Sequence, residues 1–390
     1  MTPTIPTDTA TFGDYYRGKH ALVTGATGVK GTWLCLALQA AGAIVTGIDL
    51  HLGAPTSNFV LSGLSDSIRV VQGDVNDLDL IGELLSANDC FFHLAALALV
   101  HDCKVRPLET YRVNTLGTAT VLEAFRLSSR AKRGLFVTTD KVYRPKSKDQ
   151  WVETDPLFSS GPYAVSKACA EQVIEDYRDC LLESGKYFGV ARAGNVLVGG
   201  DDHSSSQTNG AGRIFVDCFE SLIAGGSPEI FSPAYTRPYT YGLDIIAGYM
   251  TQVARMAENP INGEAFNFGP HEQGGIANAF LATKICEEWG GNTQWKGGVP
   301  RQEPFQTQAL NWEKARNLLG WQPAYTLFEA IRDAAIWYKE WATIRKAPKT
   351  GAMHAIDHEL LLRHASAARR LGIWWAVKES RHPSISEKAI

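Results

Sequence analysis

The sequence is short of nearly every feature that marks a membrane, secreted or nucleic-acid-binding protein. No stretch approaches the roughly 18 consecutive apolar residues of a membrane span. The leading MTPTIPTDTATFGDYYRGK is polar, without the apolar core of a secretion signal. No block of about five or six like charges occurs, and 38 Lys and Arg against 41 Asp and Glu leave a net charge of -3 at pH 7. The basic footprint of a nucleic-acid binder and the polybasic patch of a lipid-surface binder are both missing. Cysteines are few and scattered: Cys35, Cys90, Cys103, Cys169, Cys180, Cys218 and Cys286 are an odd set with no C-x-x-C pair. That excludes a disulfide framework and the usual zinc spacing. His354 and His358 stand at i, i+4 in the tail, but no third ligand lies nearby, so they read as a solvated helix face and no metal is expected. There is no internal repeat and no low-complexity tract. These absences leave a cytoplasmic protein with reduced thiols and no membrane or nucleic-acid partner, in which anionic ligands must be met by local groups.

What is present is alternation. HALVT reads as a strand (His20 to Thr24), a glycine turn follows, then a helix from about Gly31 to Ala41, a stop at Gly42 and a second strand from Ala43 to Asp49. The rhythm continues through IRVVQGDV, DLDLIGELLSA, CFFHLAAL, ETYRVNTLGTATVLEAFRLS, RGLFVTTD, YAVSKACAEQVIEDYRDCLLES and YFGVARAGNV. Strands alternating with helices predict an α/β fold with a doubly wound parallel sheet, accompanied by a smaller substrate-capping domain. The expected division is a Rossmann domain at 18–198 with return segments from about 238–260, a mainly substrate-binding domain at 199–345, and a helical tail at 350–390. Beyond Val198 the polar, glycine-rich GGDDHSSSQTNGAG reads as a mobile loop near a site.

In TGATGVKG, Gly25, Gly28 and Gly31 form G-x-x-G-x-x-G between strand and helix, where backbone amides can approach a pyrophosphate. Asp49 ends the next strand 18 residues after Gly31, placed to accept ribose hydroxyls and favour NAD over NADP. Asp74 and Val75, in GDV, stand where an adenine ring would be edged, although a simple turn would look the same. The small residues of HLAA permit close approach of a dinucleotide, and His93 reads as a core histidine. The expected cofactor contacts are Gly25, Thr27, Gly28, Val29, Lys30, Gly31, Asp49, Asp74, Val75, Leu94, Ala95, Ala96 and Thr138, with Tyr163 and Lys167.

YAVSK puts Tyr163 and Lys167 on one helix face. A neighbouring ammonium stabilises phenolate, so the pair makes a general base for a hydroxyl proton while hydride leaves the same carbon for nicotinamide. Thr139, at the end of the preceding strand, can bond the same hydroxyl.

The segments TGATGVKGTWL, HLAALALV, RPLETYRVNTLGTATVLEA, VTTDKVY, YAVSKACAE, ARAGNV and LGWQPAYTLFEAI, in that order between about residues 18 and 342, resemble the extended short-chain dehydrogenase/reductase family. Within it they are most similar to the nucleotide-sugar 4,6-dehydratases, and among those to the CDP-glucose enzymes. The glycine and Y-x-x-x-K motifs specify only the superfamily; TTDKVY and ARAGNV are narrower. The resemblance implies NAD-dependent 4,6-dehydration of a nucleotide-hexose, CDP-glucose to CDP-4-keto-6-deoxyglucose. The steps are oxidation at C4, loss of water across C5 and C6, and return of hydride to C6. It gives Asp140 the acid role and Lys141 the part of C5 base or electrostatic partner. It sets Asn195 on the substrate phosphates and aligns Arg237, in TRPYTYGLD, with a segment that carries such an arginine; Arg213 is a further candidate for the diphosphate, where guanidinium forks suit phosphate oxygens, and is as readily a surface charge.

The resemblance further implies a homodimer or dimer of dimers through the helices near Glu109 to Arg126 and Tyr163 to Leu182. Tyr111, Leu116, Val121, Leu122, Phe125, Val173, Ile174 and Tyr177 there exceed one core-facing stripe. The departures cluster around the substrate. Leu97 and Ala98 stand where the CDP-glucose enzymes carry Gln-Pro, Tyr239, Thr240 and Tyr241 replace Trp-Gln-His, and Asp202 replaces a tryptophan. Two rival readings are a nucleotide-sugar 4-epimerase, which normally lacks an acid after the threonine, and a non-catalytic dinucleotide sensor.

Overall fold

Short apolar runs whose neighbours face opposite ways set the frame. They fold as β1 (His20–Thr24), β2 (Ile44–Asp49), β3 (Arg69–Gln72), β4 (Cys90–His93), β5 (Arg133–Val137), β6 (Tyr187–Ala193) and β7 (Ala265–Phe268). Between them run α1 (Val29–Ala40), α2 (Leu78–Ala87), α3 (Gly117–Leu127), α4 (Pro162–Asp176) and α5 (Gly242–Arg255). The strands form one seven-stranded parallel sheet in the order β7-β6-β5-β4-β1-β2-β3. This computed structural model describes residues 12–144, 150–157, 160–201, 213–258, 261–272, 274–298 and 308–377. Asp202 and most of the glycine-rich loop lie outside them.

Strand periodicity of two sends Ala21 and Val23 to one core and Leu22 to the other. Both faces are covered, as a parallel sheet requires: α1 and α5 pack on one side, α2, α3 and α4 on the other. This burial takes up several residues expected at a dimer face. Val121, Leu122, Phe125 and Ile174 are core residues of the second layer, with Val173 and Tyr177 packed partly against it. Leu116 and Tyr111, from the same expected set, stay at the surface, together with Leu108, which is 83% exposed.

The rhythm expected to end at Val198 resumes in β7, which pairs with β6 in the register Ala265↔Val190 to Phe268↔Ala193. The chain thus returns to the sheet beyond the expected 238–260. Helices Ile214–Ile223 and Asn278–Trp289 and the long α6 (Leu327–Ile344) pack on one another alongside. Thr326 and Glu329 close a capping box at the start of α6, a device that contributes about 1 kcal/mol. Trp33 on α1 donates to the Gly199 carbonyl at 2.8 Å. A Cβ on Gly199 would lie 2.2 Å from the Trp337 ring, so indoles from α1 and α6 close on the backbone that follows β6.

The tail forms α7 (His354–Arg370) and folds back on its own chain. The Met353 amide donates to Leu61 O at 2.7 Å, and the His354 ring bonds Ser62 O at 3.1 Å, so this face is docked rather than solvated. His364 Nε2 meets the buried Asp244 carboxylate at 2.8 Å, and Trp375 stacks on Phe12 at 5.3 Å. Asp357 is fully buried and accepts from Trp337 Nε1 at 2.8 Å.

Burial pushes the Asp357 carboxyl up to about 8, against the pull of hydrogen bonds from Trp337 and Asn58. Its folded value lies above the unfolded one, so its contribution is fully present below about pH 4. It is lost as pH rises through about 8. Asp357→Asn keeps an acceptor for Trp337 and removes this titration. Thermal midpoints measured from pH 4 to 9 are expected to fall with pH more steeply for the natural protein than for the variant.

Candidate active site

The strand order reverses between β1 and β4, the position at which open parallel sheets carry a ligand crevice outside the strands' carboxyl ends. There the two backbones nearly touch. Gly25 has φ +73° on the turn after β1, and a Cβ on it would lie 2.7 Å from the amide nitrogen of Ala95, just past β4. A Cβ on Gly31 would sit 2.0 Å from Gly25 O, so this glycine lets α1 start against the turn. Gly28 is the N-cap of α1 and brings no capping side chain, which leaves the first amides of the helix, Val29 and Lys30 among them, without a side-chain acceptor. Asp49 draws the turn inward: its carboxylate accepts from the Thr27 amide at 3.0 Å and the Thr27 hydroxyl at 2.8 Å.

Along the crevice, Asp74 accepts from Asn76 at 2.9 and 2.8 Å and pairs with Arg112 at 2.9 Å. Val75 is buried in the second core. His93 is a core residue: its ring nitrogens meet Thr24 Oγ1 at 2.9 Å and Thr118 Oγ1 at 3.2 Å, and burial lowers its pKa to about 3. Leu94, Ala95 and Ala96 follow it half-buried, and the Leu94 and Ala95 amides lean on Thr24 Oγ1.

Asn114 was not singled out from the sequence. The helix entering α3 widens into a π-turn at Arg112–Leu116, a local distortion common at functional sites. Within it the Asn114 side chain accepts from the Leu97 amide at 2.9 Å and donates to Leu97 O at 3.0 Å and Ser166 Oγ at 2.9 Å. It thereby ties the loop after HLAA to the helix that carries Tyr163 and Lys167.

Lys167 is buried and donates to Val137 O, the end of β5, at 3.0 Å. Burial lowers its pKa to about 8, against the pull of Glu171. Tyr163 is pushed up to about 12, first by burial, while a hydrogen bond with Thr139 works downward and Asp140 upward. The next residues form a 3-10 turn, Asp140–Val142, capped by Thr139, whose hydroxyl meets both the Lys141 amide and Asp140 Oδ1. Asp140 has no exposed surface; Lys141 Nζ lies 3.7 Å from its Oδ1, and its Oδ2 has no hydrogen-bond partner among the described residues. Thr138 turns its hydroxyl away, to Glu171 at 2.6 Å.

Lys30 reaches the same space from α1, 3.4 Å from the Tyr249 hydroxyl. Its pKa falls to about 7, through burial first and then through Lys167 and Arg213, with Asp140 opposing. Lys30, Lys141, Lys167 and Arg213 thus lie near one another and near the buried carboxylates of Asp140, Glu171 and Asp201, a net cationic setting suited to phosphates. Arg213 precedes helix Ile214–Ile223 and is ion-paired with Asp201. Arg237 is buried, its guanidinium 5.6 Å from the Tyr235 ring centre. Asn195 stands opposite Tyr239 in a short parallel pair, its Oδ1 without a hydrogen-bond partner among the described residues.

The profile of the NAD dependent epimerase/dehydratase family matches residues 21–269. The chain belongs to this family. Among its members, the CDP-glucose 4,6-dehydratase of Salmonella typhimurium is 31% identical over 84% of this chain and 92% of its own. The UDP-glucose 4-epimerase of Mycolicibacterium smegmatis is 28% identical over 82% of this chain and 98% of its own. The dTDP-glucose 4,6-dehydratase of Streptomyces venezuelae, solved with NAD bound, superposes with a TM-score of 0.70 at 23% identity, covering 82% of this chain and 97% of its own. Dehydratases and epimerases of nucleotide sugars thus share this fold and its NAD dependence. The uncapped start of α1, the backbone cradle at Gly25, Gly28 and Gly31 and the carboxylate at Asp49 suit that cofactor. Gly31→Ala, which must displace the turn, is expected to fold with unchanged circular dichroism. It should bind NAD at least about tenfold more weakly, a loss near 1.4 kcal/mol, by fluorescence titration.

Proposed function

We propose that the protein is a nucleotide-hexose 4,6-dehydratase, with CDP-glucose as substrate and CDP-4-keto-6-deoxyglucose as product. One observation carries the choice over 4-epimerisation: the fully buried Asp140, its Oδ2 unpartnered, in the turn between Thr139 and Lys141. Exchange of configuration at C4 needs one acid–base group there and no second acid. Removal of a C6 hydroxyl needs one. The 31% identity with a CDP-glucose enzyme supports the nucleotide and the sugar.

Tyr163 takes the proton of the C4 hydroxyl, oriented by Thr139 at the end of β5. Lys167, with its pKa lowered by burial to about 8, is charged at neutral pH and favours the phenolate. Bound NAD supplies a hydride acceptor and later a hydride donor, so the net change is loss of water. With a ketone at C4, the C5 proton becomes acidic; Lys141 removes it while Asp140 protonates the departing C6 hydroxyl, and Lys141 gives the proton back to C5 when hydride is added at C6. Asn195, Arg237 and Arg213 hold the diphosphate, Arg213 sharing its guanidinium between phosphate and Asp201.

Tyr163→Phe should abolish the first oxidation, because it removes the base on the C4 hydroxyl. Asp140→Asn should leave that oxidation intact and slow the loss of water by roughly 10²–10⁴-fold. Absorbance of reduced cofactor at 340 nm in a single turnover separates them: it should build up only in the Asp140 variant. Equal loss of the first oxidation in both would refute this division of labour.

A further inference from the structure

Glu171 lies one and two turns beyond Lys167 and Tyr163 on α4, and it is buried, as is its partner Arg192 on β6. Its carboxylate accepts from Arg192 Nε at 3.0 and 3.1 Å and from Thr138 Oγ1 at 2.6 Å. Arg192 Nη1 continues to the Tyr143 hydroxyl at 2.8 Å, and that hydroxyl donates to Asn267 Oδ1 on β7 at 2.7 Å. Thr138 and Tyr143 are the two ends of the segment that contains Thr139, Asp140 and Lys141. We infer that the buried Glu171–Arg192 pair is a positioning device that clamps both ends of this segment and so aims Thr139, Asp140 and Lys141 into the crevice.

The segment cannot hold itself. It is a 3-10 turn of three residues, a geometry with weak internal bonds, and its amides reach back across 3.4 Å (Val142 to Thr139 O) and 3.3 Å (Tyr143 to Asp140 O). A purely structural core would be served as well or better by apolar side chains in place of a buried ion pair. What the charged pair adds is direction: one network reaches the Thr138 hydroxyl through Glu171 and the Tyr143 hydroxyl through Arg192. Neither charge is proposed to touch the substrate.

The inference rests on reading Thr139 to Lys141 as the reacting segment, so the test separates the two ideas. Tyr143→Phe keeps the ion pair and removes one pin; Glu171→Gln keeps the shape and removes the charge. Misplacement of a reacting group by about 1 Å costs on the order of 10²-fold. A fall in kcat of that order, with KM unchanged and a cooperative melt retained, is therefore expected for both. A merely structural role would lower the melting midpoint and leave kcat below it untouched, and a folded Tyr143→Phe with natural kcat would overturn the clamp. If Glu171→Gln fails to fold, Tyr143→Phe alone decides. Should the natural protein yield a product of unchanged mass, the dehydratase reading falls. The comparison of kcat still judges the clamp, because Thr139 serves either reaction.

Discussion

Two backbones are pressed together where the sheet changes direction, and the rest of the site is arranged around that contact. The turn after β1 can lie on the turn after β4 only because residue 25 has no Cβ, and α1 can begin where it does only because residue 31 has none. Their closeness brings the uncapped start of α1, the Asp49 carboxylate and the end of β4 into one crevice. Lys30 is carried inward on the first turn of that helix, towards Lys167 and Asp140. A side chain at either glycine would push the turn after β1 away from the end of β4 or from the start of α1.

The charge arrangement follows from this geometry. Cationic side chains outnumber the buried carboxylates Asp140, Glu171 and Asp201 beside them, and burial, with repulsion from Lys167 and Arg213, lowers Lys30 to about 7. Burial likewise brings Lys167 to about 8. Such a set is net positive, which suits the pyrophosphate of a dinucleotide.

Much of this was legible in the sequence, for a physical reason. Strands of a parallel sheet are buried on both faces, so β1, β2 and β4 to β6 stand out as apolar runs between glycine turns. The i, i+4 spacing of Tyr163 and Lys167 also marks one helix face without a structure. The parts that stayed hidden depend on partners far apart in sequence. β7 is only AFNF, and its polar Asn267 is in the core because Tyr143 requires an acceptor there. Glu171 continues the face of Lys167, yet its importance appears only when Arg192 meets it from another strand. Asn114 reaches Leu97 through a π-turn that periodicity does not reveal. Val121, Leu122 and Phe125 looked surplus on one helical stripe and are needed because α3 packs on both the sheet and α2.

The acid next to Thr139 is proposed to make this chain eliminate water rather than only exchange configuration at C4. Mass spectrometry of the product after incubation with CDP-glucose, and then with other nucleotide-hexoses, tests it most directly, with the absorbance of the cofactor followed alongside. A product lighter by one water from one of these sugars, with no net accumulation of reduced cofactor, is expected. A product of unchanged mass, or reduced cofactor formed in proportion to product, would contradict it.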